Sequence, residues 1–82
     1  MYGGNDYLVL HNVACIYAEM SKADKAHEIE HQEMVVTTLR KAIDLWRQGR
    51  TNGPDELLLI RQESAFAPAL RATPEFKKLL TP

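Results

Sequence analysis

Tyr7-Leu8-Val9-Leu10-His11-Asn12-Val13-Ala14-Cys15-Ile16-Tyr17-Ala18-Glu19-Met20 is the stretch on which the fold turns. Tyr7, Leu10, Ala14 and Tyr17 recur at helical spacing and make one apolar stripe, while Val9, Val13, Ile16 and Met20 make a second. His11, Asn12 and Glu19 are the only clearly polar residues between them. A helix apolar on two sides needs a neighbour on each. A helix hairpin covers one stripe; the other calls for the C-terminal segment, a preceding repeat or a second copy of the chain. The candidate interaction surface is therefore Tyr7, Val9, His11, Asn12, Val13, Ile16 and Met20. Residues 1–6, with Gly3-Gly4, read as a flexible lead, and Asn5 or Asp6 as the N-cap.

Ser21-Lys22-Ala23-Asp24 reads as a tight turn, with Ser21 capping a second helix and Asp24 in the capping-box position. That helix is expected to run unbroken from Lys22 to Gln48, on the order of 40 Å. Gly49 ends it, and Arg47 and Arg50 suit the negative end of its dipole. Its first half, Lys22 to Glu33, is polar apart from Ala23, Ala26 and Ile29 and is expected to project past the first helix. Its second half buries Val35, Leu39, Ala42 and Trp46, flanked by Val36 and Ile43. After the loop Arg50–Pro54, Pro54 starts a short helix through Leu57-Leu58-Leu59-Ile60. Ala67-Pro68 interrupts the pattern, and Thr73-Pro74 opens a last helix ending near Leu80. Phe66, Leu70, Phe76, Leu79 and Leu80 are the apolar anchors of this tail. The expectation is one all-α domain over 1–82: a hairpin over 7–48 with an extended second helix, and an extension over 54–80 with two short helices.

Composition limits the function. A chain of 82 residues buries only about 60–65% of its unfolded surface, so its core is thin. Hydrophobic residues at 45% and charged residues at 26% are globular values and argue against disorder. The formal charge of -1 lacks the positive footprint of a nucleic-acid or anionic-membrane binder. The cluster Arg40, Lys41, Arg47 and Arg50 is diluted by Asp44, and the helix end accounts for half of it. Cys15 is the single cysteine, so neither an intrachain disulfide nor a cysteine-based metal cluster is expected, and it reads as a small buried hydrophobe in a reducing compartment. The run Tyr7 to Leu10 is too short to span a bilayer. Met1–Asp6 lacks the character of a signal peptide. A cytoplasmic protein is expected.

Asn12-Val13-Ala14-Cys15-Ile16-Tyr17-Ala18, together with the tail from Glu63 to Leu80, resembles the C-terminal closing repeat of bacterial tetratricopeptide-repeat proteins. Ala14 and Tyr17 match the small residue and the following aromatic of that repeat's first helix, with Leu10 and Val13 ahead of them. Leu39 and Ala42 match the large and small packing positions of the second. The chain departs from a 34-residue repeat by roughly nine residues between Met20 and Leu39, and it holds about one repeat where such arrays use three or more. The resemblance implies an antiparallel helical hairpin that engages a protein or peptide.

One pattern points to chemistry. His27-Glu28-Ile29-Glu30-His31 fits H-E-x-x-H, in which two histidines a turn apart bind zinc and the glutamate polarises a bound water. It would need a third ligand, for which Glu56 and Glu63 are the downstream candidates, and a framework for substrate that a chain without strands lacks. The competing reading is a solvated helix face rich in Glu, His and Lys. His11 and Asn12 either contact a peptide in a groove or hydrogen-bond a neighbouring loop. Ser64 has no histidine placed by a known local signature, and no glycine-rich phosphate loop occurs. Trp46 and the tyrosines fall on the core stripes. The reading is a non-enzymatic, self-associating interaction module, a homodimer with no metal or cofactor. The alternative is a small zinc-dependent hydrolase using the segment His27 to His31. A third reading is the detached tail of a larger protein, its groove filled by a peptide.

Overall fold

The computed structural model describes residues 6–49 and 55–80. These form α1 (Asp6–Ala23), a 3-10 turn (Lys25–His27), α2 (Glu28–Gly49), α3 (Glu56–Gln62), α4 (Pro68–Arg71) and α5 (Pro74–Leu79), with no strand among the described residues. No described helix is long and apolar enough to cross a membrane. All-α is thus the fold class.

α1 forms because no Gly or Pro interrupts it and its apolar side chains stack at helical spacing. Its inward face is Tyr7, His11, Ala14, Ala18 and Ser21, all buried. Ala14 and Ala18, with no side chain beyond Cβ, let α2 come close. α2 answers with Val35, Val36, Leu39, Ala42 and Ile43, also buried. The tight connection turns α2 back along α1, the most extensive packing between any two elements. Removing a side chain such as Leu39 from water contributes about 1.5–3 kcal/mol.

The position of that connection corrects the sequence reading. α1 continues three residues past Met20, and Ser21 sits inside it instead of capping a second helix: its Oγ donates 2.7 Å back to the Ala18 carbonyl. The break falls at Asp24, with φ -118° and ψ 84°, and the Asp24 side chain makes no cap hydrogen bond. The unbroken helix from Lys22 is therefore an α1 end, a 3-10 turn and a helix starting at Glu28. α2, with 22 residues, begins where α1, with 18, ends. Its polar first half does not project past its mate, and the surplus length falls at its carboxyl end. Trp46 is half-buried, outside the core.

The tail contains three short helices where two are expected. α3 starts on Asp55, whose Oδ1 accepts from Leu57 and Leu58 amides at 2.9 and 3.3 Å. The expectations on Pro54, Arg50, Asn5 and the lead through Asn5 lie outside the described residues; Asp6 is already within α1. Pro68, which breaks the preceding pattern, opens α4. Thr73 caps α5 through Phe76 N, with Pro74 in the first turn, as its sequence predicts.

Ile60, Phe66, Leu70, Phe76 and Leu79 bring the tail into one core with α1 and α2, and Leu80 packs at its edge. Phe66 and Phe76 meet edge to face at 5.7 Å. Arg71 ties the segment together. Its Nε donates to the Phe66 carbonyl at 2.7 Å, its Nη2 donates to the carbonyls of Ile60 and Glu63, and the guanidinium lies 5.8 and 5.6 Å from the two phenyl centroids. The carbonyls of Ile60 and Glu63, which already accept long bonds from the amides of Glu63 and Phe66, thereby gain a charged donor as well.

Candidate functional site

The two stripes of α1 have separate fates. Tyr7 is buried at 1% exposure and His11 at 6%, so neither belongs to an outward surface. Val9 at 61%, Ile16 at 60% and Met20 at 41% lie open on the opposite side, with Val13 partly buried between them and Asn12 exposed. The described tail covers the inner stripe and leaves this one bare. Cys15, Ile16, Glu19, Met20 and Ala23 line a hollow along it.

The inward face carries a polar cluster. His11 reaches Glu56 Oε2 through Nδ1 at 2.8 Å and Glu63 Oε1 through Nε2 at 3.0 Å. α1 supplies the imidazole, the first turn of α3 supplies Glu56, and the residue capping the end of α3 supplies Glu63. As an imidazolium, His11 donates to both carboxylates at once. The hydrogen bond to Glu56 holds its pKa above the ordinary 6.5, burial pulls the other way, and Glu63 adds to the rise. The same contact holds Glu63 below the usual carboxylate value. Glu63 is further anchored by the Ala65 amide, which donates 3.2 Å to its Oε2. Phe66 walls the imidazole at 5.8 Å.

Two features of this cluster are unusual for a structural ion pair. Glu56 is completely buried, and its Oε1 has no hydrogen-bond partner among the described residues. Burying a carboxylate oxygen unpaired is costly, and such atoms are few in native proteins. The second feature is Cys15, one helical turn beyond His11. The donor atoms of His11, Cys15 and Glu63 all lie within 4.8 Å of one another. Burial, reinforced by the neighbouring Glu63, pushes the half-buried Cys15 thiol up to about 12.

The H-E-x-x-H segment is arranged differently. It straddles the start of α2, with His27 in the 3-10 turn. His27 Nδ1 lies 2.9 Å from an oxygen of Asp24 at an exposed contact, and His31 Nε2, on a largely buried side chain, lies 3.5 Å from the same oxygen. Asp24 raises the pKa of His27 and is itself lowered by it. Glu28 accepts from Lys25 Nζ at 3.1 Å. Glu56 and Glu63, the downstream carboxylates considered as a third ligand, are both bonded to His11 instead. His11 also departs from expectation: its partners are two carboxylates from α3 and its cap, which sequence reading missed because they lie 45 and 52 residues away. The i, i+4 spacing of His11 and Cys15 was the one local signal of the cluster.

Compared with known proteins, the chain matches no family model, no curated protein and no solved structure.

Proposed function

We propose that this chain is a non-enzymatic protein-interaction or assembly module of tetratricopeptide-like type, whose first partner is a second copy of itself. The observation that carries the reading is the bare stripe Val9, Ile16 and Met20 on α1, contiguous with Val13 and the hollow beside Cys15. In so small a domain a helix apolar on both sides gains stability by covering the second side, and two-fold pairing is the commonest way for identical chains to do so. The family type rests on the resemblance of Ala14, Tyr17, Leu39 and Ala42 to the packing positions of such repeats, within an all-α chain. The partner is a protein surface: the net charge of -1 does not favour nucleic acid or an anionic membrane. The hydrolase reading gains no support from the arrangement of His27, Glu28 and His31.

Light scattering on a sizing column, over a wide concentration range and with chelator present, tests the proposal. A dimer mass is expected, reverting to a folded monomer in Val9→Glu/Ile16→Glu. A compact monomer at high micromolar concentration would overturn self-association, and a dimer untouched by the double substitution would overturn the assignment of the surface.

A further inference from the structure

We infer that His11, Cys15 and Glu63 form a site for a divalent transition-metal ion of the zinc class, with Glu56 as the outer carboxylate that orients the imidazole. The site lies on the inward side of α1 and meets the bare stripe only at the hollow that Cys15, Ile16 and Met20 share. Three observations converge on it. The donors are one nitrogen, one sulfur and one carboxylate oxygen, all mutually within 4.8 Å, a mixture that suits borderline-soft zinc. Two ligands at zinc-bonding distance in a tetrahedron are about 3.3 Å apart. The 3.0 Å separation of His11 Nε2 and Glu63 Oε1 needs little opening to reach that.

The second observation is the grip on the other ring nitrogen. Glu56 Oε2 takes the Nδ1 proton at 2.8 Å. Once the Nε2 proton leaves, this holds the ring as the tautomer whose Nε2 lone pair is free for an ion, the arrangement by which outer carboxylates position metal-binding histidines. The third is the orphaned, fully buried Oε1 of that same carboxylate. A negative charge buried with one oxygen unpaired is better compensated by a divalent ion behind the imidazole than by a single proton shared between two glutamates.

The charges balance. With His11 as imidazolium and Cys15 as thiol, the two carboxylates leave the cluster at -1. Entry of M²⁺ expels the Nε2 proton and the thiol proton to solvent and forms bonds to nitrogen, sulfur and oxygen, and the cluster again carries -1. No oxidation occurs. Cys15 borders the surface hollow and Glu63 is partly exposed, so an ion has a route in. Three protein ligands leave a fourth position for water.

Cobalt(II) titration of chelator-stripped, reduced protein, followed by absorption spectroscopy, is the test. The expected result is a thiolate-to-cobalt charge-transfer band with an intense tetrahedral visible spectrum, saturating at one equivalent. Zinc should bleach it. Cys15→Ser should abolish the charge-transfer band, and Glu56→Gln should keep the band but weaken affinity about 10–100-fold. His27→Ala/His31→Ala should leave the spectrum and affinity unchanged. Because the wild-type spectrum itself reports sulfur ligation, the test does not depend on the folding of any variant. A pale octahedral spectrum without a charge-transfer band, or cobalt binding that disappears in His27→Ala/His31→Ala, would overturn the assignment.

Discussion

His11 and the pair His27 and His31 all stand beside acidic side chains, yet the two regions handle charge in opposite ways. At His27 and His31 a single exposed carboxylate, Asp24, serves two rings only three and seven residues away, and water competes for the shorter contact, that with His27. At His11 two carboxylates from a distant part of the chain serve one ring, with 7% of the histidine side chain and none of Glu56 exposed. The first arrangement can be disrupted with little consequence, since exposed ion pairs contribute little. In the second, removing one member strands another in a medium that solvates it poorly. A motif with familiar spacing is thus the weaker site, and a lone histidine on an apolar helix is the stronger.

The largest expected effect is that of His11→Ala, which leaves buried Glu56 without its partner and should destabilise the fold by about 3–5 kcal/mol in urea denaturation. An effect no larger than that of His27→Ala would break the comparison. Glu56→Gln keeps the shape while removing the charge and should cost about 1–3 kcal/mol by the same measurement.

A pH series in chelator sharpens the contrast further. His11 has a raised pKa, so its stabilisation is fully present below the ordinary histidine value of 6.5 and is lost as pH rises through the raised folded value. Glu63 has a lowered pKa, so its contribution is present above the ordinary 4.5 and is lost as pH falls through the lowered folded value. Thermal midpoints should form a plateau between these two ordinary values. The alkaline limb should survive added salt, because the pair is buried, whereas any contribution of exposed His27 and Asp24 should be screened away. The smallest effect is expected from His27→Ala/His31→Ala, whose denaturation midpoint should coincide with that of the unaltered chain.

What could be read from the sequence follows the range of the interaction. The stripes of α1, the buried Val35, Leu39 and Ala42 of α2, the Thr73-Pro74 start of α5 and the tail anchors are periodic or capping signals, complete within a few residues. The break at Asp24 was missed for the opposite reason: Ser21-Lys22-Ala23-Asp24 satisfies a local cap pattern, but the Ser21 hydroxyl bonds back to Ala18 inside the helix. The same hydroxyl suits both roles, and only packing against α2 decides between them. Of the candidate surface residues, Val9, Ile16 and Met20 separate from Tyr7 and His11 only when α2 and the tail define an inside. The pairing of His11 with Glu56 and Glu63 has no local signature, because α3 and the residue that caps it supply the acids from 45 and 52 residues away.

That separation also orders events in time. The contacts of α1 with α2 close through a short turn, whereas joining His11 to Glu56 closes a loop of 45 residues and carries a loop-closure entropy of about 3 kcal/mol beyond its constant part. Loop closure thus favours assembling the helix pair before the tail fastens it. His11 then acts as a late latch. If the latch forms late, loosening it by His11→Ala should speed unfolding far more than it slows refolding, as stopped-flow rates would show.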